Sequence, residues 1–219
     1  MDDLEVRLAR FAALGSTLVS DALDGAKLPP GVTGVRPAWP APTFAGRALT
    51  VRLGRVDGPV MSTHINVEAI ERAGPADVLV LANGGDLDVS CWGGLLSLAA
   101  SLRGVRGVVV DGACRDVEDA AALGFPVCAR SVVPVTARGR LAQLAVGAPV
   151  EFGGLTVGTG DVVVADRDGV AFVPAVATGR VLEAAEALSA REAALVGELR
   201  TGGRLSDVLD DARLDLESR

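Results

Sequence analysis

The residue types best suited to bind a small acid stand together at Arg115 and Asp116, directly after the apolar run 108–110. The planar guanidinium of an arginine can hold a carboxylate or an enolate oxygen in bidentate fashion. An adjacent carboxylate can hold a divalent cation that keeps several of its waters, as Mg²⁺ usually does. The same pair also suits the start of a helix, with Asp116 as a cap and Arg115 as a surface charge. The spacing alone leaves both interpretations open.

Two glycines form the second candidate feature, because Gly93 and Gly94 fall in the first turn of a predicted helix over 92–102. The first N–H groups of a helix have no helical acceptor, and a residue without a side chain lets a carboxylate approach them closely. Alternatively, the two glycines only permit tight packing. The helices 92–102 and 117–123 each follow a predicted strand, and ligands collect at the carboxyl ends of strands in α/β sheets.

Other reactive residues carry a weaker signal. The single histidine, His64, has no cysteine or carboxylate at ligand spacing, which argues against a zinc site. A structural or peripheral role is favoured, and a position facing the pocket is the alternative. Cys114 adjoins Arg115, but a packed thiol is the simpler interpretation because no general base accompanies it. Trp92 suits a pocket wall and a core position equally. The sequence contains neither a Gly-x-Ser-x-Gly elbow nor a phosphate-loop lysine motif.

The elements that position these residues follow from the hydrophobic pattern. Helices are predicted over 3–14, from Ser16 through Leu23, and over 66–73, 92–102, 117–123 and 176–200. Strands are predicted over 45–53, 77–82, 108–110, 125–129, 149–152, 155–157, 161–165 and 170–173. Residues 25–42 are predicted to be irregular, residues 83–86 a glycine-rich turn, and residues 166–169 a β-turn. Alternation of strands and helices predicts parallel or mixed pairing.

The amino-acid composition and the net charge indicate which class of protein this is. The 219 residues are 49% hydrophobic and 22% charged, as in an ordinary globular α/β domain, and with only 3% aromatics the core must be aliphatic. The net charge of −7 disfavours nucleic-acid binding, so small anionic substrates would need a local positive site.

The compartment is also predicted from the sequence. Three cysteines without a C-x-x-C spacing favour a reduced compartment. The charged start of the chain does not resemble a signal peptide, and no apolar run is long enough to span a membrane. We therefore expect a cytoplasmic, soluble protein with no membrane partner.

Several stretches of the sequence together carry a resemblance to one family. The run 104–116 (GVRGVVVDGACRD), preceded by WGGLL at 92–96, resembles the family of class II 4-hydroxy-4-methyl-2-oxoglutarate aldolases, which also contains the regulator of ribonuclease E activity A. The stretches 18–24, 45–51 and 160–174 agree with it, so the similarity spans roughly residues 14–200.

The resemblance implies an α/β fold, a ββα sandwich of the swivelling-domain type with mixed sheets and helical N- and C-terminal segments. It implies one domain over 1–219, with a core of about 14–175 and a helical tail over 176–219. It further implies homotrimers or hexamers with sites at subunit interfaces, Mg²⁺ or Mn²⁺, and a small 2-oxo acid substrate. Arg115 would then bind substrate, Asp116 would anchor the metal, and the backbone of four residues would hold the substrate carboxylate: Gly93, Gly94, Leu95 and Leu96.

One position departs from the family pattern. The aldolases carry an acid 21 residues before the arginine, and here that position is Gly94. Retro-aldol cleavage needs a base for the C4 hydroxyl, whereas decarboxylation of oxaloacetate needs only an electron sink. The resemblance therefore supports decarboxylation better than aldol cleavage, unless Asp86, Asp88, Glu118 or a neighbouring subunit supplies the base.

Two functions of different classes follow. The first is a metal-dependent lyase that cleaves a C–C bond of a 2-oxo acid to give pyruvate. The alternative is a non-catalytic protein-binding regulator that resembles the ribonuclease E inhibitor and docks through its acidic surface. Arg115 and Asp116 beside a glycine-rich turn favour the lyase, because a docking module needs neither residue there.

Overall fold

The computed structural model describes residues 3–56 and 64–210. Its helices are α1 (Asp3–Gly25), α2 (Val67–Arg72), α3 (Gly94–Leu102), α4 (Val117–Ala122), α5 (Thr178–Arg200) and α6 (Leu205–Val208). Its strands are β1 (Arg36–Pro37), β2 (Phe44–Arg55), β3 (Asp77–Ser90), β4 (Gly107–Cys114), β5 (Val127–Ala129), β6 (Ser131–Val132), β7 (Leu141–Val146), β8 (Val150–Phe152), β9 (Leu155–Val157), β10 (Val162–Ala165) and β11 (Val170–Val173). A 3₁₀ turn over Ala175–Ala177 precedes α5.

The strands form one mixed sheet and a separate hairpin. The order along the sheet is β1-β5-β4-β3-β2-β10-β11, with β6 beside β4 and β7 beside β2, while β8 and β9 pair with each other. Strands β2 to β5 run parallel, and β10, β11 and β7 are antiparallel. A bridge between Val32 and Val170 joins the segment before β1 to β11 at the opposite edge, so the sheet is nearly closed. The prediction of a mixed α/β sheet with helices at both ends is confirmed.

Both faces of the central strands are buried, which explains their continuous apolar sequence. Along β3, Val78 and Val80 face the interior of the curved sheet together with Phe152 of the β8–β9 hairpin and Phe172 of β11. Leu79 and Leu81 point to the other face, where a second cluster packs against α2, α3 and α4. This alternation fixes the ends of β3 and β4, from which the loops to α3 and α4 emerge.

The predicted pair of N-terminal helices is confirmed, because α1 is broken at Gly15, which adopts the left-handed φ of 78°. The cap of the second helix differs from the prediction. The Asp166 carboxylate in the β10–β11 turn accepts hydrogen bonds from the backbone N–H and the hydroxyl of Ser16, both at 2.6 Å. Ser16 is therefore held by Asp166 and does not cap the helix itself. The same carboxylate accepts the Asp168 N–H at 2.9 Å, as suits a β-turn.

The predicted turn over 83–86 is wrong, because β3 continues to Ser90. Gly84 and Gly85 take positive φ values of 62° and 73°, and the register against β4 shifts on both sides of Asp86. The glycines therefore form a bulged region inside the strand. The sequence analysis also missed β7, which pairs with β2 along its second half.

The long C-terminal helix is confirmed over Thr178–Arg200. Its first half packs against α1, where Val181 and Ala185 are buried with Leu8 and Phe11. An ion pair of Arg10 with Glu186 at 2.7 Å crosses the same contact. Among the helices of 3–56 and 64–210, none has the length and apolar character needed to cross a bilayer.

Candidate functional site

The loop before α3 and the loop before α4 are held side by side by the sheet. β3 and β4 are parallel neighbours, and beyond their regular pairing the Cys91 N–H donates to the Ala113 carbonyl at 2.9 Å. The Arg115 N–H then donates to the Trp92 carbonyl at 3.0 Å. These two bonds bring the Gly93–Gly94 pair against Arg115 and Asp116, although more than 20 residues separate them in sequence.

The six residues predicted to form the site line a single pocket of about 70 Å³, smaller than the roughly 300–1,000 Å³ of pockets for drug-sized ligands. The remaining lining residues come from the ends of β3, the loop before α2 and the loop before β7: His64, Ile65, Ser90, Cys91, Trp92, Thr136 and Ala137. The structure thus groups the predicted residues, while their binding of substrate stays a prediction.

Asp116 does not act as a conventional cap of α4. It adopts the left-handed conformation at φ 56° and makes no side-chain hydrogen bond to its own helix. Its Oδ2 instead accepts the Gly94 N–H at 3.0 Å and lies 3.3 Å from Nε of Arg115. The two side chains are 39% and 38% exposed, so both reach solvent in the pocket. The helix-start interpretation is therefore wrong for the Asp116 carboxylate, which faces the start of α3.

A side chain at either glycine would have to displace a neighbouring carboxylate. Gly93 is the N-cap of α3, and Gly94 is its first residue, so the helix begins two residues later than predicted. A Cβ atom at Gly93 would lie 2.7 Å from Oδ2 of Asp116. The Gly94 N–H donates to Oδ2 of Asp116, so a substrate carboxylate could accept this N–H only in place of Asp116, and the predicted role of Gly94 stays a prediction. The N–H groups of Leu95 and Leu96 belong to the same first turn, which offers them no helical acceptor.

Asp119 lies beside Gly94 and was missed by the sequence analysis. A Cβ atom at Gly94 would lie 2.4 Å from Oδ2 of Asp119 and 3.1 Å from its Cβ. In the described part of the chain, this exposed carboxylate has no hydrogen-bond or ion-pair partner. It occupies the space that an acid at position 94 would enter. Its place one turn into α4, three residues after Asp116, is the only signal in the sequence.

The acids predicted as substitute bases do not line the pocket. Arg55 binds Asp86 through Nε at 2.5 Å and through its terminal nitrogen at 2.9 Å. Partial burial favours a higher pKa for the Asp86 carboxyl, but the hydrogen bonds from Arg55 and from the Asp88 N–H lower it below its ordinary value. Asp88 and Glu118 are exposed outside the pocket. None of the three is placed to serve as the base within this chain.

His64 lies in the pocket lining with an exposed side chain, so the predicted peripheral position is only partly right. Its Nδ1 lies 2.9 Å from the Ile65 carbonyl oxygen. Trp92 combines both roles considered for it, because it lines the pocket and also stacks on Phe125 in the core with ring centroids 6.1 Å apart. Its indole N–H donates to the Ser97 hydroxyl at 2.9 Å, which anchors the first turn of α3.

The three thiols are inert by environment. Cys91, Cys114 and Cys128 are all buried and free. Burial raises the pKa of the Cys114 thiol to about 11 and that of Cys128 to about 12, and it raises the pKa of Cys91 as well. Arg115 therefore does not activate Cys114, and the packed-thiol interpretation holds.

We expect the native protein to resist a thiol reagent such as DTNB at mildly alkaline pH, whereas all three cysteines should react in denaturant. Stability should also fall as the pH rises past the ordinary thiol range, because the unfolded chain ionises thiols that the folded chain keeps protonated. The absorbance of released thionitrobenzoate measures the first effect. A native thiol that reacts as fast as the denatured ones would contradict the assignment.

The residues present fit Mg²⁺ better than zinc. Mg²⁺ is usually held by one or two carboxylates, with waters and substrate oxygens completing the shell. The Asp116 carboxylate offers one such ligand, since its Oδ2 is held by Gly94 and it remains partly exposed. Residues 3–56 and 64–210 contain no group of three or more His, Cys, Asp or Glu side chains at ligating distance, as a zinc site requires.

Known proteins are similar to this chain over most of its length. A protein from Halalkalibacterium halodurans, provisionally named 4-hydroxy-4-methyl-2-oxoglutarate aldolase, is 30% identical and aligns over 82% of this chain and 81% of its own. Protein DlpA of Legionella pneumophila is 25% identical over 96% of this chain, which spans only 34% of that longer protein. The structure of Streptomyces coelicolor RraAS2, an unusual member of the RNase ES inhibitor RraA family, superposes with a TM-score of 0.77, at 24% identity, over 88% of this chain and 96% of that one.

The family assignment rests on a match over most of the chain. The family model for RraA-like proteins (aldolase/RraA) matches residues 16–172, which include every residue of the predicted site. Because this match covers more than half of the sequence, the chain belongs to the RraA-like, aldolase/RraA family.

Proposed function

We propose that the protein is a divalent-metal-dependent lyase that cleaves a C–C bond of a small 2-oxo acid to release pyruvate. The observation that supports this most directly is the pairing of Arg115 and Asp116 with the first turn of α3 in one small pocket. A cation, a carboxylate and unpaired backbone N–H groups together match the needs of an anionic 2-oxo acid. The names of several relatives as aldolases support the same reaction class.

In this proposal the protein binds and orients the substrate through fixed charges and dipoles. The N–H groups of Leu95 and Leu96 hold the substrate carboxylate at the start of α3. The Arg115 guanidinium lies where negative charge develops on the enolate oxygen as the C–C bond breaks. Asp116 would hold Mg²⁺ or Mn²⁺, which supplies Lewis-acid polarisation of the 2-oxo group when bound. Trp92 and Cys91 line the pocket and are themselves almost fully buried.

Two substrates follow from this chemistry, oxaloacetate and 4-hydroxy-4-methyl-2-oxoglutarate. Decarboxylation of oxaloacetate needs stabilisation of the enolate and no base, so the residues named above suffice. Aldol cleavage needs a base as well, and position 94 holds a glycine. The chain's own residues therefore favour decarboxylation unless another pocket group accepts the hydroxyl proton.

Pyruvate release coupled to lactate dehydrogenase tests the proposal directly. Oxaloacetate and 4-hydroxy-4-methyl-2-oxoglutarate are compared with Mg²⁺, with Mn²⁺ and with excess EDTA, and spontaneous decay is subtracted. We expect turnover with metal and loss of turnover in EDTA. The Arg115→Gln variant, which keeps polarity but removes the charge, should lose about 10²-fold or more in kcat/KM.

The alternative function is that of a non-catalytic regulator, because the family also includes regulators. The similarity to a member of the RNase ES inhibitor RraA family supports this alternative. Absence of metal-dependent turnover on both substrates would contradict the lyase and favour this alternative. Binding of Mg²⁺ and oxalate, measured by calorimetry, separates the two further. A docking protein has no use for a metal-dependent oxalate site beside Arg115.

We further propose that the chain forms homotrimers or hexamers through the apolar face of α3. Leu95, Leu98 and Leu102 are 84%, 42% and 80% exposed, and their spacing places them on one stripe of the helix. Leu95 also lines the pocket, so a subunit packed on this stripe would border the site.

Substituting Leu98→Glu together with Leu102→Glu should dissociate the assembly, because it would bury unpaired charge in the interface. Size-exclusion chromatography with light scattering measures the mass. Leu205→Glu on α6 is a matched control, since that leucine is 60% exposed and lies elsewhere. A wild-type monomer, or a double variant with the wild-type mass, would contradict the proposed interface.

A further inference from the structure

Among the described residues of the pocket lining, one side chain can accept a proton and is not used by the functions proposed above. Among the titratable groups of the described lining, the Cys91 thiol is buried with a raised pKa, and the Arg115 guanidinium offers only hydrogen-bond donors. The Asp116 carboxylate is bound by the Gly94 N–H and paired with Arg115. The remaining titratable group among the described lining residues is the imidazole of His64, the single histidine of the chain.

The hydrogen bond of His64 determines which ring nitrogen is free. Its Nδ1 lies 2.9 Å from the Ile65 carbonyl oxygen, and a carbonyl oxygen can only accept a hydrogen bond. In the neutral imidazole the proton therefore resides on Nδ1, and Nε2 carries the lone pair. Within the described part of the chain, Nε2 has no hydrogen-bond partner. This is the arrangement of a base held in one tautomer by a backbone group.

We propose that His64 is the general base for aldol cleavage of a 4-hydroxy-2-oxo acid in this pocket, an inference that rests on the proposed lyase function. Nε2 accepts the proton of the C4 hydroxyl, and the C4–O bond becomes the carbonyl of the second product. The C3–C4 bond breaks, and its electron pair passes into the enolate of pyruvate beside Arg115. The proton then moves from Nε2 to C3, which forms the pyruvate methyl group and restores neutral His64.

The proposal explains how the chain can cleave an aldol without an acid at position 94. Two acids lie near that position. The Asp116 carboxylate accepts the Gly94 N–H, and Asp119 does not line the pocket. His64 lies on the loop before α2 and lines the same pocket as Arg115. Oxaloacetate decarboxylation has no hydroxyl proton to remove, so it does not need His64 as a base.

The test compares the two reactions in His64→Asn and His64→Gln. The amide of asparagine keeps a donor near the Nδ1 position for the Ile65 carbonyl but provides no base. We expect aldol cleavage to fall by about 10²–10⁴-fold in both variants, the usual size of a general-base contribution. Oxaloacetate decarboxylation should stay within about threefold of wild type, because the electron sink is unchanged.

Any other outcome contradicts the role of His64, and the outcomes show whether the lyase proposal fails with it. Retained aldol cleavage in the variants, or equal loss of both reactions, would show that His64 is not the base. Wild-type decarboxylation without aldol cleavage would overturn the role of His64 and leave the lyase proposal intact. If the wild-type protein catalyses neither reaction, both the lyase proposal and the role of His64 are overturned.

A spectroscopic readout is independent of turnover. Because the chain contains one histidine, a histidine-labelled sample gives a single set of imidazole resonances. Oxalate added with Mg²⁺ should shift the His64 signals if the imidazole faces the bound anion. Oxalate binding detected by calorimetry with unmoved imidazole signals would place His64 outside the reacting space and overturn the inference.

Discussion

Replacing Asp116 with asparagine is expected to abolish metal-dependent pyruvate release while the protein stays folded. Asparagine tolerates the left-handed backbone that Asp116 adopts at φ 56°. Its amide oxygen can still accept the Gly94 N–H, so the start of α3 keeps its cap. What disappears is the negative charge that would hold Mg²⁺. A bound metal supplies several kcal/mol of transition-state stabilisation, so we expect a loss of about 10³-fold in kcat/KM.

The asparagine variant is a sharper test than alanine. Alanine at φ 56° costs roughly 1–2 kcal/mol in backbone strain and also removes the cap of α3. A loss of activity in Asp116→Ala therefore mixes a missing ligand with a displaced loop. Thermal unfolding should show Asp116→Asn close to wild type and Asp116→Ala clearly less stable. Full Mg²⁺-dependent activity in Asp116→Asn would contradict the assignment of Asp116 as the metal ligand.

The sequence predicts most of the scaffold because the central strands are buried on both faces. The apolar runs 77–82 and 108–110 can form only buried strands or short helices, and the glycine-rich stretches around them favour strands. The observed β3 and β4 contain these runs, and α3 and α4 follow them as predicted. Grouping Gly93, Gly94, Arg115 and Asp116 in one pocket follows from the same order of elements.

What the sequence does not reveal depends on contacts between distant residues. The extension of β3 through Gly84 and Gly85 depends on the pairing of Asp86 with Gly112, which no local pattern encodes. His64 reaches the pocket because the loop before α2 passes beside the end of β3, where the Asn66 side-chain amide donates to the Cys91 carbonyl at 2.8 Å. Because these contacts are tertiary, local propensity and spacing carry no trace of them.

Introducing the family's acid by Gly94→Asp is expected to destabilise the protein without raising the rate of aldol cleavage. The new Cβ would lie 2.4 Å from Oδ2 of Asp119, so one side chain must move. Overpacking of this kind costs about 1–3 kcal/mol, and the added carboxylate would also face that of Asp119. Denaturation in urea measures the change in the free energy of unfolding.

The matched variant is Asp119→Ala, which removes the obstructing carboxylate. On its own it should change the free energy of unfolding by less than about 0.5 kcal/mol, because Asp119 is exposed and has no partner in the described part of the chain. Combined with Gly94→Asp it should recover most of the lost stability, with a coupling energy of about 0.5–3 kcal/mol. A coupling energy near zero would contradict the contact between Gly94 and Asp119.

The rate of the double variant then shows whether an acid at position 94 limits the chemistry. In Gly94→Asp alone, a missing gain in rate says nothing, because Asp119 fills the space that the new carboxylate needs. In Gly94→Asp with Asp119→Ala, the acid has room to reach the pocket. If His64 already removes the hydroxyl proton, the added acid should raise aldol cleavage by less than about tenfold. A larger gain would mean that the chain has no other effective base, and that the glycine at position 94 limits aldol cleavage.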